Sequence, residues 1–194
     1  MMRLFLVLVL GLITAASVAA QTPECPNLQS GTGQPGWMLV SGPGVTSPRV
    51  PVNVTPYSGW AGPVAGSSWV SVDANRGNTA GYYTYEYTFC VCREKPALYL
   101  SFYADNGATV SLNGTQIYAT AGAYNFGGVP KGPPTLNPYT GPALVPGTNT
   151  LRIVVWNQGS VTGLDAVLKV TGARGGCCGR QPGAESEKDS ALSN

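Results

Sequence analysis

The chain has no histidine. That removes the commonest general base, the commonest metal ligand and the side chain that titrates near neutral pH. Charge is nearly as scarce: 10% of residues are Asp, Glu, Lys or Arg, and the formal net charge is +2. Such a balance carries no electrostatic footprint for nucleic acid or an anionic membrane surface. Without histidine, neither a Ser-His-Asp nor a Cys-His machine can form. A phosphate-cradling glycine loop and a dinucleotide fingerprint are also missing. A glycosidase needs two carboxyl groups about 5–10 Å apart. Between residues 37 and 172 the carboxylates are Asp73, Glu86, Glu94, Asp105 and Asp165, and they read as turn and surface residues. A protein that is not an enzyme is expected.

Long apolar runs are absent except at the start. Arg3 precedes the run Leu4–Ile13, broken only by Gly11, and Ala15, Ala16, Ser17, Ala19 and Ala20 follow it. This is the form of a secretory signal peptide cleaved after Ala20. The run is too short to span a bilayer, which takes about 20 residues. A secreted protein, extracellular or periplasmic, is therefore expected, with no membrane insertion after signal cleavage. The rest divides by composition into an irregular lead-in at 21–36, a body at 37–172 and a small, polar, flexible tail at 173–194.

Helical periodicity is missing too, while Gly (26) and Pro (16) are abundant. What remains has period two. Tyr83, Tyr85, Tyr87, Phe89 and Val91 fall on one face of a strand, with Tyr82, Thr84, Glu86 and Thr88 on the other. Leu98, Leu100, Phe102 and Ala104 alternate with Tyr99, Ser101 and Tyr103. Val110 and Leu112 lead into Asn113-Gly114, a dipeptide favoured in two-residue hairpins because both positions accept positive φ. Further strands carry Leu151, Ile153 and Val155, then Leu164, Ala166, Leu168 and Val170; weaker ones are Met38–Val40, Val50–Val54 and Ser68–Val72. Eight to ten short strands with turns between them predict an antiparallel β-sandwich of jelly-roll type. The stretch 119–142 reads as a long loop, either functional or covering a sheet edge.

Five cysteines remain after cleavage: Cys25, Cys90, Cys92, Cys177 and Cys178. Outside the cytosol disulfides are the default. Cys90 and Cys92 are two apart on a strand and so share a face. The reading is that this Cys-Val-Cys segment staples one or both termini, with the pairing left open. The odd cysteine could link two chains. The alternative is a thiolate metal site made by Cys90, Cys92, Cys177 and Cys178.

Aromatics are skewed toward those with a polar handle, four Trp and ten Tyr against four Phe. Such rings suit sugars, offering a flat apolar face to the C–H side of a pyranose. Trp60 sits in a loop that no alternation buries, and Trp156 is out of phase with its strand's apolar residues. Tyr99 and Tyr103 lie opposite their strand's core face, Tyr57 shares the Trp60 loop and Tyr124 lies in the long loop. These six are the candidate ligand contacts; Trp37 and Trp69 read as core. Asp73, Asn75 and Asn78 gather oxygens in one loop, where a plain Asx-turn competes with a structural calcium.

Several of these segments resemble a known family. Trp69-Val70-Ser71, Gly81-Tyr82-Tyr83-Thr84-Tyr85, Ala104-Asp105-Asn106, Val110-Ser111-Leu112-Asn113-Gly114 and Pro146-Gly147-Thr148-Asn149-Thr150-Leu151 up to Val155-Trp156-Asn157 follow in order. The order is similar to that of the galactose-binding-like jelly roll of carbohydrate-binding modules and bacterial secreted proteins, over about residues 37–171. The resemblance implies the same fold, a glycan or other cell-surface polymer as partner and, as in related jelly rolls, a structural calcium. Two functions follow as expectations: a secreted non-catalytic carbohydrate-binding module, or a structural or adhesive surface protein acting through protein–protein contacts.

Overall fold

The computed structural model describes residues 26–77, 79–120, 135–176 and 178. Among the described residues, twelve strands form two six-stranded antiparallel sheets. The first sheet contains β1 (Leu28–Gly31), β3 (Val52–Asn53), β4 (Val70–Ser71), β6 (Leu98–Asp105), β9 (Thr135–Tyr139) and β11 (Gly163–Val170). Its order is β3-β4-β11-β6-β9, with β1 on the β4 side of β11. The second contains β2 (Trp37–Ser41), β5 (Gly81–Val91), β7 (Gly107–Leu112), β8 (Thr115–Ala119), β10 (Gly147–Asn157) and β12 (Ala173–Gly175). Its order is β12-β5-β10-β7-β8, with β2 also on β5. Only β3–β4 and β7–β8 follow each other within one sheet. Every other connection crosses, so the core draws on nearly every strand.

Alternation places that core as the sequence implies. Tyr83, Tyr85, Tyr87, Phe89 and Val91 are all buried, facing Leu98, Leu100 and Phe102 of the other sheet within one apolar cluster. β5 and β10 pair along all eleven residues, from Gly81↔Asn157 to Val91↔Gly147. Trp37 and Trp69 are buried, as expected. The Asn113-Gly114 hairpin has positive φ at both residues, 51° and 83°. Beyond its turn, Asn113 clasps Asn149: its Nδ2 donates to Asn149 Oδ1 at 2.9 Å and to the Ala143 carbonyl at 2.9 Å, while its Oδ1 accepts from Thr150 N. Asn149 is fully buried and fastens the 145–147 turn as well. Both motif asparagines are thus fold-builders, and the Asn113 amide is committed.

The sandwich is wider than residues 37–172. β1 lies in the stretch read as an irregular lead-in and pairs with β11; β12 lies in the stretch read as tail and pairs with β5. Neither has enough alternating apolar residues to announce itself; main-chain pairing to a long strand holds each. Within the long loop at 119–142, β9 pairs with β6 at the edge of the first sheet. Residues 121–134, with Tyr124, lie outside the described residues, as does the proposed signal segment 1–20.

Cys90 is bonded to Cys178, closing a loop with sequence separation 88. The tail is therefore stapled to β5, and two of the four thiols of the alternative metal site are consumed. Cys92 is also disulfide-bonded, to a partner outside the described residues. Cys25 and Cys177 lie outside the described residues. The expectation that Cys90 and Cys92 share a strand face is corrected. β5 ends at Val91, where the chain turns through Arg93–Lys95, so Cys90 is buried and Cys92 exposed. No helix long and apolar enough to cross a membrane occurs among the described residues.

Candidate functional site

The five described residues of the six proposed as ligand contacts do not converge; the structure sorts them onto three places. Tyr57 and Trp60 join Trp69 and Tyr103 in a stack at the loop end of the first sheet. Ring centroids are 6.4 Å apart for Tyr57–Trp60, 4.2 Å for Trp60–Trp69 and 6.1 Å for Trp69–Tyr103. Trp60 is half-buried, not free as its loop position suggested. Its Nε1 donates to Asp105 Oδ2 at 2.8 Å, and the Trp69 Nε1 donates to the Ala61 carbonyl at 3.0 Å. Arg76 lies over the Tyr57 ring, 5.8 Å from its centroid. One face and the N–H of Trp60 are therefore used to pin its own loop.

Two carboxylates are buried beneath this loop. Asp105 is 8% exposed, and burial pushes its carboxyl up to about 6, the Trp60 hydrogen bond opposing that rise. Asp165 is fully buried and accepts from Val64 N at 2.7 Å and from Ser67 Oγ. Burial raises it too, against the hydrogen bonds from Ser67, Val64 and Thr32. Both are tied to the 57–67 loop and act as its anchors. Sequence reading missed this role, because a carboxylate two strands away from a loop has no local pattern that reveals it.

Asp73 makes the Asx-turn: its Oδ1 accepts from Asn75 N at 2.8 Å and Gly77 N at 3.1 Å. Asn78 lies outside the described residues. Asp73 is the one carboxylate of this loop, and its Oδ1 is engaged by those two amides. Among the described residues no group of three or more His, Cys, Asp or Glu could hold a metal.

Trp156 stands on the outer face of the second sheet. Its cross-strand partner on β5 is Tyr82, 65% exposed, and its partner on β7 is Gly107. Gly107 is buried and adds no side chain of its own to that flank of Trp156. A groove of about 460 Å³ lies beside Trp156 and Tyr82, lined also by Val154, Thr109 and Thr120. The Glu86–Arg152 ion pair, Arg152 Nη2 to Glu86 Oε1 at 2.6 Å, lies further along the same face. Asn106 N donates to the Trp156 carbonyl at 2.6 Å and Asn106 Oδ1 accepts from Gln158 N, which hold the strand end rigid. Tyr82 is the site residue that sequence reading placed on the right face without singling out. Its signal was available: a large ring out of phase with Tyr83, Tyr85 and Tyr87.

Tyr99 occupies the third place, on the outer face of the first sheet beside Lys169.

No family model matches the chain, and no curated protein does. Among solved structures, a family 35 carbohydrate-binding module from an environmental isolate is similar, with 17% identity and TM-score 0.45, over 78% of this chain and 99% of that one. The CBM35 from Cellvibrio japonicus Abf62 is similar at 17% identity and TM-score 0.46, over 78% of this chain and 100% of that one.

Proposed function

We propose that the chain is an exported, non-catalytic glycan-binding module that seats a neutral sugar chain across Trp156 and Tyr82. The observation that carries this reading is the pairing of those two rings on neighbouring strands over an open groove. Its volume of about 460 Å³ falls within the usual span of ligand sites, about 300–1,000 Å³. An indole beside a phenol gives a sugar ring an apolar floor and a hydroxyl partner at once. Thr109 adds a polar rim. The disulfide between Cys90 and Cys178 suits an oxidising compartment and so supports export. A neutral glycan microarray followed by calorimetry on the best hit tests the reading. Trp156→Ala is expected to weaken binding about tenfold or more and Tyr82→Ala somewhat less, while Trp60→Ala, whose ring is packed in its loop, leaves affinity near wild type. A blank array, or equal affinity for wild type and Trp156→Ala, refutes it.

A second reading, adhesion through protein contacts, is favoured by Val50 and Val52. They are 68% and 38% exposed; Val52 opens the edge strand β3 and Val50 lies two residues before it. Sedimentation equilibrium decides it: concentration-dependent association abolished by Val50→Ser with Val52→Ser supports adhesion, and a monomer at all concentrations rejects it.

A further inference from the structure

The outer face of the first sheet carries a groove of about 400 Å³, and its chemistry differs from that around Trp156. We propose that it is a second, independent binding site, selective for a saccharide that bears an anionic substituent. Three side chains line up across adjacent strands: Tyr99 on β6 is the partner of Lys169 on β11, which is the partner of Gln29 on β1. All three point away from the core, since Leu98, Leu100, Leu168 and Val170 between them are buried. Asn27 and Thr171 complete the polar lining, which contains no carboxylate.

The donors are what select the ligand. Lys169 is exposed, and its ammonium has no ion pair or hydrogen bond among the described residues, where Glu86–Arg152 is the ion pair found. Asn27 spends its Oδ1 on Gly172 N at 3.0 Å, which leaves its two N–H groups. Thr171 accepts from Ala97 N at 2.8 Å through its Oγ1, which leaves its hydroxyl hydrogen. A groove whose uncommitted polar groups are a cation and N–H or O–H donors, with the Gln29 amide oxygen as an acceptor among them, fits a carboxylate or sulfate, and charge-assisted bonds are the stronger kind. The half-buried Tyr99 ring supplies the apolar flank on which a sugar ring lies. Lys169 is a compact, rotatable point charge, so it favours charge over one fixed anion geometry.

Affinity electrophoresis of the full mature chain tests this, with polygalacturonate as the carboxylated probe, κ-carrageenan as the sulfated one and dextran as the neutral control. Retardation by at least one anionic polymer is expected, and which polymer acts tells carboxylate from sulfate ester. Lys169→Gln is expected to weaken that binding about tenfold, the scale of one hydrogen bond to a charged group. Tyr99→Ala is expected to weaken it in chains whose melting curve matches wild type. Lys95→Gln, which removes an exposed cation elsewhere, and Trp156→Ala are expected to leave it unchanged. The proposal is overturned if neither anionic polymer retards the protein, or if Lys95→Gln costs as much as Lys169→Gln. Loss of neutral-glycan binding in Trp156→Ala bears on the first groove alone, so the two readings fail separately.

Discussion

Replacing Asp105 by Asn isolates one buried charge and gives its cost a sign. The carboxyl is 8% exposed and accepts a hydrogen bond from Trp60, and burial lifts it from 3.8 to about 6. A raised carboxylate is held more tightly protonated in the folded chain than in the unfolded one. Its neutral form is therefore the stabilising one. That contribution is fully present below about pH 4 and is lost as pH rises toward 6 and beyond. At about 1.4 kcal/mol for each tenfold change, the full loss above pH 7 is about 3 kcal/mol. Asp105→Asn keeps an oxygen to accept from Trp60 Nε1 and never ionises. It should be more stable than wild type at pH 7.5, by 1–3 kcal/mol, or several degrees in Tm for a domain of this size. At pH 4 the gap should shrink to a small fraction of that. Thermal melts of both proteins at pH 4, 5, 6 and 7.5 give the comparison directly. Since Asp165 titrates in both proteins, subtracting one curve from the other removes its share. An offset that is the same at pH 4 and pH 7.5, or a less stable Asp105→Asn at pH 7.5, refutes the reasoning.

Asp165→Ala strips acceptors from Val64 N and Ser67 Oγ inside a dry site, and a loss of about 3–5 kcal/mol in urea unfolding is expected, with Asp165→Asn milder. Tyr85 is fully buried, its hydroxyl has no hydrogen-bond partner among the described residues and burial pushes its ionisation far up. Tyr85→Phe should therefore be neutral or stabilising by about 1 kcal/mol, and a clear destabilisation would show an unseen partner. Cys90→Ser, read by denaturant midpoint, should cost about 2–4 kcal/mol by freeing the 88-residue loop; an unchanged midpoint would mean the staple adds nothing.

Some of the site was legible because it depends on strand phase alone. Trp156 and Tyr82 fall on the outer face of β10 and β5 by simple alternation, as do Tyr99 and Lys169 on β6 and β11. Trp60 was not legible in the same way. An exposed-looking Gly-Trp-Ala-Gly loop gives no hint that Trp69 will stack on it or that Asp105 will take its N–H. The edge strands β1, β9 and β12 were equally silent, since each is held by backbone pairing to a long partner and by few apolar side chains.

The order of residues by itself determined the class of fold, the inner and outer faces of the long strands and the type of the Asn113-Gly114 hairpin. All of these follow from period-two alternation and from local φ preferences. Only the tertiary structure decided which rings stand free and which are spent on packing, that Asn113 and Asn149 clasp each other, and that Tyr82 and Gly107 flank Trp156. The physical reason is distance along the chain: those outcomes depend on partners tens of residues away, brought together only when strands cross repeatedly between two sheets.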